Sequence, residues 1–153
     1  MKLPAFPVSG GCACGAVRYS LKEAPLSVYL CHCTRCQAYG GVGTLAVLAR
    51  RSDVELSGND AVKHDEPTDS GRMAEMFFCP HCHVRVFHTP NDRTLLTLMG
   101  GTLDDPTWLA PVAHIFTRRK QTGVLTGDVP CFEGPVPSRE VLYALFREAL
   151  PKS

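Results

Sequence analysis

Alternation of apolar and polar positions, more than helical periodicity, organises this chain. Ala16-Val17-Arg18-Tyr19-Ser20-Leu21 alternates cleanly and Ala74-Glu75-Met76-Phe77-Phe78 less so, which is the two-residue period of half-buried strands. Further strands are predicted over Ser27-Val28-Tyr29-Leu30, residues 44–49, Val84-Arg85-Val86-Phe87, residues 94–98 and residues 112–117. Turn signals separate them, among them Ser57-Gly58-Asn59-Asp60, Ser70-Gly71 and Asp104-Asp105-Pro106, where Gly, Asn, Asp and Pro favour chain reversal. One helix is predicted over about 139–150, with Ser138 as N-cap, Glu140 in the first turn and Pro151 as the stop. Leu142, Leu145, Phe146 and Ala149 give it one apolar face. Residues 118–137 are polar, contain Gly and Pro, and are predicted to wrap the surface. Many short strands and one helix predict a mainly β fold, an open barrel or sandwich of short antiparallel strands with one C-terminal helix.

Length and charge narrow the classes. The 153 residues suit one domain over 1–153, with a core over about 10–133. Sixteen Lys and Arg balance fifteen Asp and Glu, so no electrostatic footprint for nucleic acid or an anionic membrane is expected. No apolar run approaches the ~18 residues of a membrane span. Met1-Lys2-Leu3-Pro4-Ala5-Phe6-Pro7 has a lysine but no apolar stretch, so no secretory leader and a reducing, cytoplasmic setting are expected. Gly40, Gly41 and Gly43 are not followed by Lys-Ser/Thr, which argues against a nucleotide loop. No feature of the sequence specifies an oligomeric state.

The cysteines change the picture. Seven of eight fall in three clusters, Cys12-x-Cys14, Cys31-x-Cys33-x-x-Cys36 and Cys79-x-x-Cys82, with Cys131 alone and expected to be a buried or half-buried apolar residue. Clusters spaced by one or two residues in a reducing compartment point to metal ligation rather than disulfides. A one-residue gap is harder to bring onto one ion from a regular strand, where the two residues lie roughly 7 Å apart. Both such pairs therefore predict turns, and Gly10, Gly11 and Gly15 are expected to supply the backbone freedom at the first. Counting divides seven thiols into four plus three. Cys12, Cys14, Cys79 and Cys82 would close a structural tetrahedron, and Cys31, Cys33 and Cys36 would leave one position open, the mark of a reactive zinc. His32, His81, His83, His88 or His114 could instead supply a fourth ligand to the second site. Two purely architectural zincs, and a redox role for Cys33-Thr34-Arg35-Cys36, are the competing readings.

Taken in order, Gly10-Gly11-Cys12-Ala13-Cys14-Gly15-Ala16-Val17-Arg18-Tyr19, Cys31-His32-Cys33-Thr34-Arg35-Cys36 and Phe78-Cys79-Pro80-His81-Cys82, then Gly101-Thr102-Leu103-Asp104-Asp105-Pro106 and His114-Ile115-Phe116, the chain resembles the glutathione-dependent formaldehyde-activating enzyme family. The resemblance implies a largely β fold around zinc, with a four-cysteine structural site and a three-cysteine site divided as above. It also implies glutathione and formaldehyde as partners in a carbon–sulfur lyase reaction. Two positions depart from the family pattern: His83 stands where glycine is common, and no tryptophan lies within 118–128, the sole Trp108 coming earlier.

The chemistry this predicts is a thiolate adding to an aldehyde carbon, or leaving from the S-hydroxymethyl adduct, at a zinc held by Cys31, Cys33 and Cys36. Three thiolates make a modest Lewis acid, so thiol exchange is favoured over hydrolysis. His32 and His114 are the candidate acids for the developing alkoxide. Arg35, Arg118, Arg119 or Lys120 could meet the carboxylates of a glutathione-like ligand. Arg35, placed between two proposed ligands, and His114 are the expected substrate contacts. A non-catalytic thiol carrier and a zinc-stabilised protein-interaction scaffold are the alternative functions.

Overall fold

A computed structural model describes residues 1–90 and 92–152. Among the described residues, ten strands form two sheets and no closed barrel: β1 (Val8–Gly11), β2 (Val17–Leu21), β3 (Ser27–Cys31), β4 (Thr44–Arg50), β5 (Val54–Gly58), β6 (Val62–Pro67), β7 (Met73–Phe78), β8 (Arg85–Thr89), β9 (Leu95–Met99) and β10 (His114–Ile115). The smaller sheet has the order β1-β2-β5 and the larger β10-β3-β4-β9-β8-β7-β6. Val17, Tyr19 and Leu21 from β2 meet Val28, Val47, Val86, Leu96 and Leu98 of the larger sheet in the main core. The strict alternation of β2 is the signature of one buried face. β9 is buried along its whole length, because both faces of the larger sheet are covered. Leu96 and Leu98 join the core, while Thr97 on the opposite face lines a cavity.

The C-terminal helix α2 (Arg139–Ala149) buries Leu142 and Phe146, two of the residues expected on its apolar face. Ser138 sits at the N-cap position, but its side chain makes no capping bond to the helix. A second, shorter helix that the pattern did not predict, α1 (Thr34–Gly40), follows the triple-cysteine cluster. Seven residues are too few to show a helical period, and α1 is set instead by its ends. The Cys33 sulfur accepts from the Cys36 amide, and Gly41 closes the helix at a φ of 77°.

Three further expectations are corrected. The run 112–117 pairs only at His114 and Ile115, and it lies parallel to β3 rather than antiparallel. β1, β5 and β6 are not among the predicted strands, although Val54-Glu55-Leu56-Ser57 of β5 does alternate. β6 is an exposed edge strand ending in Pro67, a position where proline costs no ladder bond. Gly10 and Gly11 serve close packing rather than conformational freedom, since a Cβ on Gly10 would lie 2.4 Å from the Tyr19 hydroxyl. Gly15, at a φ of 79°, is the residue that needs the left-handed region.

Candidate functional site

Two cysteine groups gather in space. The sulfurs of Cys12, Cys14, Cys79 and Cys82 all lie within 4.8 Å of one another, and so do those of Cys31, Cys33 and Cys36. Among the described residues no histidine or carboxylate joins either group at that spacing.

The four-cysteine group is built from two turns. Cys12 follows the end of β1, and the chain reverses through Gly15 into β2. Cys79 and Cys82 lie in the turn between β7 and β8, where His83 adopts a left-handed φ of 60° and donates its amide to the Cys79 carbonyl at 3.1 Å. That backbone conformation explains why glycine suits this position. The Cys12 and Cys14 sulfurs are 3.6 Å apart, and those of Cys14 and Cys79 3.7 Å. A tetrahedron of sulfurs with Zn–S bonds of about 2.3 Å has edges of about 3.8 Å, so the donor set fits that ion. Backbone amides of Val17 and His81 donate to the Cys12 and Cys79 sulfurs at 3.2 and 3.4 Å, which favours thiolate over thiol. Burial opposes ionisation of Cys12, but the Val17 amide and the neighbouring thiols outweigh it and bring its pKa down to about 6.

The three-cysteine group comes from six consecutive residues. Cys31 ends β3, Cys33 caps α1 and Cys36 lies in its first turn. The chain leaves the strand at that point, as the one-residue gap requires. Cys31 and Cys33 line the same cavity, whereas His32 does not. Its Nε2 is 2.8 Å from His114 Nδ1, and the two rings stack at 5.1 Å. Burial lowers the pKa of both histidines. Gly43 passes behind the cluster, where a Cβ would come within 2.8 Å of the Cys31 carbonyl. The Asp69 carboxylate accepts from the Thr34 amide at 2.9 Å and ties the β6–β7 turn to the start of α1.

All three cysteines are less than one-tenth exposed, yet all three line a cavity of about 860 Å³ on the face of the larger sheet away from the core. That volume is ample for a small-molecule ligand. Ile115, Phe116 and Val136 form an apolar wall beside the sulfurs. The stretch 135–137, expected to wrap the surface, helps to roof the cavity.

Of the expected contacts, Arg35 lines the cavity, with its Nε 3.3 Å from the Pro67 carbonyl and 3.7 Å from Glu66. His114, Arg118, Arg119 and Lys120 do not line it. Arg118 pairs with Glu133 at 3.6 Å, and Lys120 donates to the Val124 carbonyl. Trp108 packs edge-on against Phe6, away from the cavity. Cys131 is exposed rather than buried, and is held by a single parallel bridge to His114.

One cavity-lining residue, Arg85, escaped the sequence pattern, and a second, His88, stood in it only as a possible zinc ligand. Arg85 opens β8 and His88 lies three residues on; both line the cavity, and Arg85 Nε and His88 Nδ1 are buried without partners. Burial and the Arg85 charge bring the His88 pKa down to about 4, so its ring is neutral at pH 7. The one available signal was a lone arginine in the apolar run Val84-Arg85-Val86-Phe87. Cys36 is held well below the ordinary thiol value by the Cys31 and Cys33 thiols, then by Thr44 and the Arg85 charge. Cys31 is pushed up by the same thiol contacts and by burial.

The family model described as glutathione-dependent formaldehyde-activating enzyme matches residues 7–119, and the chain belongs to that family. A crystal structure of a Rhodobacter sphaeroides protein has a similar fold, with a TM-score of 0.52 and 20% identity over 80% of this chain and 98% of that one. No curated protein matches the chain. No helix of the described residues is long and apolar enough to cross a membrane.

Proposed function

We propose that the chain joins glutathione, or a closely similar thiol, to formaldehyde and splits the S-hydroxymethyl adduct in reverse, as a zinc-dependent carbon–sulfur lyase. The observation that carries this reading is the cavity. Three sulfurs line it, and among the described residues no further protein ligand completes the set. Cys12, Cys14, Cys79 and Cys82 would hold a structural zinc, and Cys31, Cys33 and Cys36 a second, more labile one. Zinc bound by three thiolates supplies a position at which an incoming thiol ionises near neutral pH.

The protein's own groups divide the remaining work. Arg35 and Arg72 on the cavity wall can meet the carboxylates of the tripeptide. Ile115, Phe116 and Val136 keep water from the sulfurs. In the adduct-forming direction the sulfur lone pair makes the C–S bond, and the carbonyl electrons move to oxygen, which takes up a proton. His88, the histidine on the cavity wall, is neutral, so it can accept the proton that the incoming thiol gives up and pass it to that oxygen. His32 and His114 support the cluster from behind. The unpaired cysteines suit a reducing compartment such as the cytoplasm.

The test is the initial rate of adduct formation from glutathione and formaldehyde, set against the uncatalysed rate. The expected result is saturable acceleration that falls more than about 100-fold in Cys33→Ser. Glutathione binding without acceleration would make the protein a carrier, and no binding would make it a scaffold.

A further inference from the structure

Arg85 is 7% exposed, and among the described residues no carboxylate lies within 4.0 Å of it. Its guanidinium is held by neutral groups. Nη2 donates to the Thr44 hydroxyl at 2.8 Å, Nη1 reaches the Met76 sulfur at 3.7 Å, and Cζ lies 4.7 Å over the Tyr39 ring. The remaining contact is Nη2 to the Cys36 sulfur at 4.0 Å. A buried guanidinium without a counter-charge is strongly destabilising. Its closest neighbour able to carry negative charge is therefore a member of the three-cysteine group.

We infer that Arg85 is the counter-charge of the three-cysteine centre, and that it makes the open position accept an anionic sulfur. The inference rests on the zinc reading above. A divalent ion on three thiolates carries one net negative charge, which would repel a fourth thiolate. The Arg85 guanidinium, beside Cys36, cancels that charge, so the incoming thiolate meets a neutral centre. Arg85 acts through Cys36 and is a positioning residue.

The experiment is zinc titration of the full chain against a competing chelator, in wild type, Arg85→Gln and Arg85→Lys, followed by calorimetric titration of the zinc-loaded proteins with glutathione and with imidazole. The four-cysteine site serves as the internal control for folding. Arg85→Gln should weaken the second zinc by about 10–100-fold and leave the first unchanged. It should also lose more affinity for glutathione than for neutral imidazole, and Arg85→Lys should recover most of both losses. A merely structural arginine would shift both ligands alike and gain nothing from lysine. If wild type takes up two zincs and Arg85→Gln holds the second equally well, or if lysine restores nothing, the inference fails alone. If wild type takes up only one zinc, the parent reading fails and the inference falls with it.

Discussion

The two cysteine groups differ in how far apart their members lie in the chain and in what surrounds them. Cys14 and Cys79 stand 65 residues apart, Cys14 is exposed and Cys82 half-buried, and the group joins the β1–β2 turn to the β7–β8 turn across the two sheets. Cys31, Cys33 and Cys36 belong to one continuous segment and sit inside a cavity. A distant crosslink restrains the fold whatever surrounds it, whereas a local cluster restrains little beyond its own turn. The group that spans the two sheets thus suits architecture, and the local group in the cavity suits chemistry. Shelter alone does not make a site structural; the span of chain that the ligands close is the better guide.

The comparison is broken most severely by exchanging one ligand in each group. Cys12→Ser should destabilise the protein by about 4 kcal/mol or more and lower the Tm by roughly 10 °C or more, read by thermal unfolding. Cys33→Ser should cost less than about 1 kcal/mol and reduce the bound zinc from two ions to one. Equal destabilisation by both would erase the distinction.

A smaller effect is expected behind the three-cysteine cluster. Gly43 has a φ of 149°, and a Cβ there would press on the Cys31 carbonyl. Gly43→Ala should cost about 1–3 kcal/mol and loosen the second zinc while the first stays bound, measured by chelator competition. The smallest change is expected at the four-cysteine group. His83 holds a left-handed φ of 60° without glycine's freedom, so His83→Gly should gain roughly 0.5–1 kcal/mol in urea unfolding and leave zinc content unchanged. A loss of stability there would give the histidine a role of its own.

Much of this contrast is legible in the sequence. The cysteine spacings divide four plus three by counting, and the alternation in β2 and the apolar face of α2 mark two of the principal packing surfaces. The chemistry around the open site is less legible. Strand alternation says that Arg85, Thr97 and Tyr29 leave the core, but not what they meet. Read locally, that face belongs to solvent. In the fold it is roofed by the 135–137 stretch and the start of α2, and an arginine that reads as a surface residue becomes a buried charge. β1 and β6 are likewise products of tertiary pairing, the first glycine-rich and the second charged and exposed, and neither has an intrinsic strand preference to read.

The central claim is tested most directly by an anomalous-scattering map at the zinc edge from crystals soaked with glutathione. The account predicts one peak among Cys12, Cys14, Cys79 and Cys82, and a second among Cys31, Cys33 and Cys36 with the glutathione sulfur as its fourth neighbour. A second peak closed by a side chain of this protein, or no second peak at all, would contradict it.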